Sequence, residues 1–290
     1  MRKRLPSWFK IKLPDPKLMA DTKACIDRWQ LNTVCKEAKC PNAGECFSKG
    51  TATALIMGDT CTRGCPFCAV ATGKPQPLDP TEPERVAKAV QEMGLSYVVI
   101  TSVTRDDLPD GGAAHFAATI AAVKKYSPQT KVEVLIPDFQ GDPKALETVV
   151  EAGPDVISHN LETVPSLYSK VRAGADYQRS LGVVERIKEL ARDIYSKTGF
   201  MLGLGESREE VMAVLKDLVR IKCDIVTIGQ YLSPSDNHLS VVEFIEPHVF
   251  TEYARLGEGM GIPRVVAGPL VRSSYLAEEA LPEASTGVSS

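Results

Sequence analysis

The residues with the most chemical reach in this chain are its cysteines. There are eight, and six of them fall between positions 35 and 68 as two triplets. Cys61-Thr-Arg-Gly-Cys65-Pro-Phe-Cys68 spaces its thiols C-x3-C-x2-C, and Cys35, Cys40 and Cys46 follow C-x4-C-x5-C. Disulfide scaffolds are normally short secreted chains without a large core, so thiols this dense in a long chain point to metal or redox chemistry. Zinc takes four ligands, often from C-x2-C pairs. Only Cys65 and Cys68 have that spacing, and the nearest histidine, His115, is far along the chain. Three thiolates on one loop can hold three irons of a [4Fe–4S] cluster and leave the fourth iron open to another ligand. A structural zinc knuckle stays as the alternative. Cys25 and Cys223 stand outside both triplets and read as small buried side chains.

Such loops need a rigid frame. After the cysteines, short runs rich in Val, Ile and Leu alternate with helical patterns. Strands are predicted at Ala52–Met57, Tyr97–Ser102, Lys131–Pro137, Asp155–Leu161, Phe200–Leu204 and Ile225–Tyr231, with a further one at Arg264–Ala267. Thr81-Glu-Pro-Glu84 and Ser207-Arg-Glu-Glu210 read as capping boxes that open helices. Leu181, Val184, Ile187, Leu190 and Ile194 form one helical face, and Val211, Val214, Leu215 and Leu218 form the next. This alternation predicts an α/β fold, a partial (βα)6 TIM-type barrel spanning residues 51–268. Residues 1–50 become an N-terminal extension carrying the second cysteine triplet, and 269–290 a C-terminal tail. A doubly wound dinucleotide-binding sheet is the rival, but no G-x-G-x-x-G follows any strand. In such barrels the chemistry gathers at the C-terminal strand ends. Those ends offer Thr101, Ser102, Arg105 and Asp106, then Asn160 and Glu162, with Arg179 on the helix that follows. Each of these could equally form an ordinary surface pair. Asp110-Gly111-Gly112 reads as a turn and helix start, although a glycine pair also permits close backbone approach to a ligand. His159, inside an apolar run, reads as a hydrogen-bonded core histidine.

Composition narrows the class. The chain has 290 residues, 43% hydrophobic and 24% charged, with a formal net charge of −3. That is too apolar for a disordered protein and carries no overall cationic field for nucleic acid. No apolar stretch approaches the about 18 residues that span a bilayer. The basic start has no apolar run behind it, so a cytoplasmic protein without a membrane partner is expected. The absence of coiled-coil heptads favours a monomer.

The first triplet follows the apolar segment Ala52–Gly58 and has Phe67 before its last cysteine. It resembles the signature of the radical S-adenosylmethionine (SAM) enzymes. Cys40-Pro-Asn-Ala-Gly-Glu-Cys46, running through Gly50-Thr-Ala-Thr53 into Cys61–Cys68, resembles the lipoyl synthase family. Ser158-His-Asn-Leu-Glu-Thr163, Met201-Leu-Gly-Leu-Gly-Glu206, the block Thr227–Ser235 and Gly268-Pro-Leu-Val-Arg-Ser-Ser-Tyr275 agree, and the likeness runs from Leu5–Trp8 almost to the end. Biotin synthase and the methylthiotransferases, other sulfur-inserting radical-SAM enzymes, lack the upstream triplet together with the terminal Arg-Ser-Ser-Tyr.

The resemblance implies a sulfurtransferase that inserts two sulfurs at C6 and C8 of an octanoyl chain on a protein lysine. It implies two [4Fe–4S] clusters. One, on Cys61, Cys65 and Cys68, cleaves SAM to a 5′-deoxyadenosyl radical. The other, on Cys35, Cys40 and Cys46, donates sulfur and is consumed, with a serine of Arg272-Ser273-Ser274-Tyr275 as its fourth ligand. Ser274 is the expected ligand and Ser273 the near alternative. SAM is then expected to meet Thr101, Ser102, Arg105, Asp106, Asn160, Glu162 and Arg179. The implied partners are lipoyl domains of 2-oxoacid dehydrogenase E2 subunits and the glycine-cleavage H protein. An electron donor of flavodoxin or ferredoxin type and iron–sulfur assembly proteins are implied as well. The basic start (Arg2-Lys-Arg4, Lys10, Lys12) reads as a solvated tail or as a dock for an acidic carrier domain.

Overall fold

The computed structural model describes residues 4–10, 14–172, 174–275 and 277–281. The chain enters through α1 (Pro16–Arg28), started by Asp15, whose carboxylate accepts from the Lys17 and Leu18 amides at 2.9 and 3.1 Å. It continues as β1 (Asn32–Thr33), α2 (Val34–Glu37), α3 (Ala43–Ser48) and β2 (Ala54–Ile56). Two short strands, β3 (Thr60–Cys61) and β4 (Ala71–Thr72), pair in parallel and fasten both ends of the first cysteine loop. Helices and strands then alternate: α4 (Glu82–Glu92), β5 (Tyr97–Ser102), α5 (Ala113–Tyr126), β6 (Lys131–Leu135), α6 (Pro143–Glu151) and β7 (Val156–Ser158). After these come α7 (Tyr168–Val171), α8 (Tyr177–Leu190), β8 (Tyr195–Leu202), α9 (Arg208–Arg220), β9 (Ile225–Gln230), α10 (Pro247–Gly259) and β10 (Arg264–Gly268).

The main sheet runs β1-β2-β5-β6-β7-β8-β9-β10, parallel throughout except for the antiparallel β1. This is the partial barrel expected, with β10 as a seventh parallel strand. The edges β1 and β10 do not pair with each other among the described residues. Two apolar clusters fill the space between sheet and helices, one around Ile56, Ile100, Phe116 and Val134, the other around Leu161, Phe200, Leu215 and Phe250. None of the helices among the described residues is long and apolar enough to cross a membrane.

Local expectations meet the structure unevenly. Ser207 and Glu210 form the full reciprocal capping box that starts α9. Thr81 does not cap α4. Asp79 accepts from both its amide and its hydroxyl, at 2.8 and 2.7 Å, and the Thr81 backbone is helical (φ −91°, ψ −13°) rather than in the extended cap conformation. Ile194 lies beyond the end of α8 and packs as a buried turn residue ahead of β8. β8 itself begins at Tyr195, five residues before the predicted Phe200. Its early residues are polar yet buried. Lys197 binds Glu133 at 2.8 Å, Thr198 donates to the His159 carbonyl, and Ser196 pairs with Asp224. Gly111 and Gly112 both take positive φ and form the expected turn. A side chain at Gly112 would collide with Met57, so the close approach there is to the core rather than to a ligand.

Candidate active site

A cavity of 540 Å³ opens at the C-terminal ends of the strands. Cys61, Cys65 and Cys68 line it on one side, and Cys40, Ser273 and Ser274 on another. The first loop is pinned from several directions. The Gly73 amide donates to the Cys61 carbonyl at 3.0 Å, and the Cys68 amide to the Cys65 carbonyl at 3.0 Å. The amides of Arg63 and Thr104 each donate to the Cys61 sulfur at 3.4 Å. From below, His238 bonds the Cys68 carbonyl at 3.1 Å, and the Leu239 amide holds Pro66. Phe67 packs with Val171, Leu204 and Tyr231.

The second triplet is built on helix ends. Thr33 caps α2 and so places Cys35, the positive φ of Lys39 turns the chain into Cys40, and α3 carries Cys46. The tail after β10 is tied to this extension: Asn42 donates to the Leu270 carbonyl at 2.7 Å, and Tyr275 donates to Glu45 at 3.0 Å. Its approach to the sheet depends on two glycines. A Cβ at Gly229 would collide with the Val271 carbonyl, and one at Gly199 would press on Thr227, Ser273 and Asn160. Ser273 donates to Asn160 Oδ1 at 2.8 Å.

The donor sets suit iron–sulfur clusters. Burial pushes the Cys46 thiol up to about 12, with Cys35 and Cys40 adding to it, and pushes Cys68 up to about 11, with Cys65 adding. Three thiolates so close in a desolvated site need a cationic centre between them, and metal binding there releases protons. Among the described residues no three Cys, His, Asp or Glu side chains converge tightly enough to hold a single ion.

Of the polar residues expected to face SAM, Thr101, Ser102, Asn160 and Glu162 line the cavity. The Ser102 hydroxyl is buried with no hydrogen-bond partner among the described residues. Arg105, Asp106 and Arg179 do not line it. Arg105 forks onto Asp107 at 2.8 Å and is almost wholly buried. Asp106 is taken by Arg63 at 2.6 Å, and Arg179 binds the buried Asp138 at 2.8 Å. These three build the wall behind the site, because each finds an opposite charge before it reaches the cavity. Four cations that the spacing did not single out do line it, Lys39, Arg63, Arg172 and Arg272. Burial pushes the Glu162 carboxyl up, and Arg172 pulls it back down. Burial likewise weakens the Arg272 cation, which Cys40 and Glu162 favour. Arg272 was legible only as a letter in the terminal motif, and Arg172 had no local signal. His159 donates its Nδ1–H to the Ile136 carbonyl at 2.9 Å and sits in the core as expected. Cys25 and Cys223 are buried. Of the basic start, Arg2, Lys3 and Lys12 lie outside the described residues.

Comparison with known proteins agrees with this geometry. Residues 55–218 match the family model described as the Radical SAM superfamily. The chain is 56% identical to the lipoyl synthase of Caldicellulosiruptor saccharolyticus over 279 residues, covering 96% of this chain and 98% of that one. It is 55% identical to the lipoyl synthase of Caldanaerobacter subterraneus subsp. tengcongensis, with 97% and 98% covered. The lipoyl synthase of Nitratidesulfovibrio vulgaris is 53% identical, with 96% and 92% covered. Among solved structures, methylornithine synthase (PylB) superposes with a TM-score of 0.52 at 16% identity, over 79% of this chain and 70% of its own. Coproporphyrinogen III oxidase (HemN) from Escherichia coli, a radical SAM enzyme, gives 0.53 at 11%, over 71% and 52%. These two likenesses support the barrel fold alone. With Cys61, Cys65, Cys68 and Cys40 lining one barrel mouth and full-length relatives above half identity, this chain belongs to the lipoyl synthase family of radical SAM enzymes.

Proposed function

We propose that Cys61, Cys65 and Cys68 hold the SAM-binding [4Fe–4S] cluster, and that Cys35, Cys40, Cys46 and Ser274 hold the second, sulfur-giving [4Fe–4S] cluster. The observation that carries this assignment is the single cavity onto which all of the first set, together with Cys40 and Ser274 of the second, open. When bound, the two groups supply a radical able to take hydrogen from an unactivated C–H bond, and sulfide to replace it. The chain's own residues do the rest. Ser273 is committed to Asn160, which leaves Ser274 as the hydroxyl for iron. Arg172, which faces both Cys65 and Glu162, offers a cation for the methionyl carboxylate of SAM. Thr101, Ser102, Asn160 and Glu162 offer hydrogen bonds for its ammonium and ribose groups. Val103, Leu135, Ile136, Phe200 and Leu232 give the cavity an apolar wall that suits an eight-carbon chain and excludes water from it.

The substrate arm hangs from octanoylated lipoyl domains of 2-oxoacid dehydrogenase E2 subunits or from the glycine-cleavage H protein. A flavodoxin- or ferredoxin-type donor supplies electrons, and iron–sulfur carriers restore the spent cluster. The enzyme acts in the cytoplasm as a monomer, with residues 1–50, 51–268 and 269–290 serving as cluster-bearing extension, barrel and ligand-bearing tail. The test is to incubate the reduced, air-free enzyme with SAM and an octanoyl-lysyl peptide. Mass spectrometry should show two sulfur atoms added, and none with Cys61→Ala or Cys40→Ala. Deoxyadenosine without sulfur in the peptide would overturn the proposal.

A further inference from the structure

The second cysteine set stands in a partition between two cavities. Behind the barrel mouth lies a separate space of 380 Å³, lined among others by Cys46, Thr51, Thr53, Ser96, Ser274 and Tyr275. Cys40 faces only the front cavity, Cys46 only the rear one, and Ser274 faces both. The front space must hold SAM and the acyl chain while sulfur is being given up. Iron that loses its sulfide at that moment has no room to leave forwards. We infer that the rear cavity is the port through which iron leaves the second cluster site, and through which iron and sulfide return to it. The inference rests on the ligand assignment above and deepens it.

The chemistry of the partition agrees. A hydroxyl is a harder and weaker ligand than thiolate for this kind of iron. At Ser274, water entering from the rear can take its place, the hydroxyl regains its proton, and no electron moves in that exchange. The hydroxyls of Thr51, Thr53 and Ser96 line the way out, and oxygen donors suit a departing hydrated cation. Among the described residues, polar side-chain contacts lie along the outer wall, Tyr275 to Glu45 at 3.0 Å, Glu45 to Lys49 at 3.3 Å, and Ser96 to Glu278 at 3.1 Å, beside the packing of Ala277 on Tyr97 and Val99. The Ser96–Glu278 contact is exposed, and a pair of that kind opens at little cost.

Two measurements test the port. Holoenzyme with about eight irons per chain is mixed with reductant, SAM and octanoyl peptide in the presence of a coloured ferrous chelator. Thr51→Trp and Ser96→Trp each place bulk in the rear cavity. Both should give the wild-type amount of product in the first turnover, while iron capture slows by about tenfold. Capture at the wild-type rate in both variants would overturn the inference. The second measurement needs no mutation, so it decides the matter even if a variant misfolds. Wild-type enzyme is kept reduced and given the ferrous chelator with its front cavity either open or filled with S-adenosylhomocysteine and unreacted octanoyl peptide, and iron lost from the second cluster is followed by Mössbauer spectra. The chelator should still draw out iron at an unchanged rate. Protection of the iron by those front ligands would sink the port. A wild-type enzyme that loads only about four irons would instead overturn the ligand assignment, so the two failures are distinguishable.

Discussion

Ser273 and Ser274 are neighbours in sequence with opposite commitments, and the difference lies in one hydrogen bond to Asn160. Ser274→Cys should still assemble two clusters, by iron analysis and Mössbauer spectra, because thiolate binds iron more tightly than a hydroxyl does. Lipoyl formation should fall by about tenfold, since that iron no longer departs readily. Undiminished product from fully loaded S274C would remove the case for a labile ligand. His159 makes a prediction about acid. Burial, with the Arg172 cation beside it, pushes its imidazole down to about 3, against 6.5 in the unfolded chain. The unfolded chain therefore binds a proton that the fold refuses. The stability His159 allows is complete above pH 6.5 and is lost as pH falls toward 3, by about 1.4 kcal/mol per unit. His159→Asn keeps a donor for the Ile136 carbonyl, and its urea midpoint should change less between pH 7 and 5 than the wild type's. Parallel midpoints would refute this. Asp138 acts in a different window. Burial pushes its carboxyl up, but Arg63 more than reverses that and holds it well below the usual range, so its contribution fails only in stronger acid. The two cysteine triplets stand out in the sequence by spacing alone. Arg105, Asp106 and Arg179 were misplaced because position at a strand end does not reveal which charge will find a partner first.

Among the elements, β8 shows where pattern reading stops. Alternation with helices located every other parallel strand to within a few residues, but β8 opens with Tyr195 followed by Ser196, Lys197 and Thr198, a polar run that looks like a loop. They are buried because the barrel interior satisfies them: Glu133 on β6 takes both the Lys197 ammonium and the Tyr97 hydroxyl, at 2.8 and 2.6 Å. Removing one member should be costly. Lys197→Met leaves a carboxylate buried without its cation and should destabilise the fold by about 3–5 kcal/mol. Adding Glu133→Leu should recover a large part of that loss. Chemical denaturation of the two variants and the double mutant measures the coupling, and strict additivity would show the pair to be independent. The capping boxes teach a similar lesson. The same motif succeeded at Ser207 and failed at Thr81, where Asp79 stood two residues upstream as a competing acceptor.

At the scale of the whole molecule, the sheet begins with β1 and ends with β10, and these edges do not pair among the described residues. Cys35 follows directly on β1, and Ser274 lies a few residues after β10. The second cluster is thus assigned to ligands from both margins of the open barrel, helped by the Asn42–Leu270 and Tyr275–Glu45 bonds. Stripping iron with a chelator should raise amide hydrogen exchange in residues 33–48 and 268–275, while β5, β6 and β9 keep their protection. Uniform loosening, or none, would contradict this placement. The consequence reaches past chemistry. An enzyme that spends its own inorganic rivet on each product also unbuckles the hoop that the rivet was closing. On the proposed ligand assignment, the exhausted molecule differs from the charged one in stiffness at the place where head and tail of the chain meet.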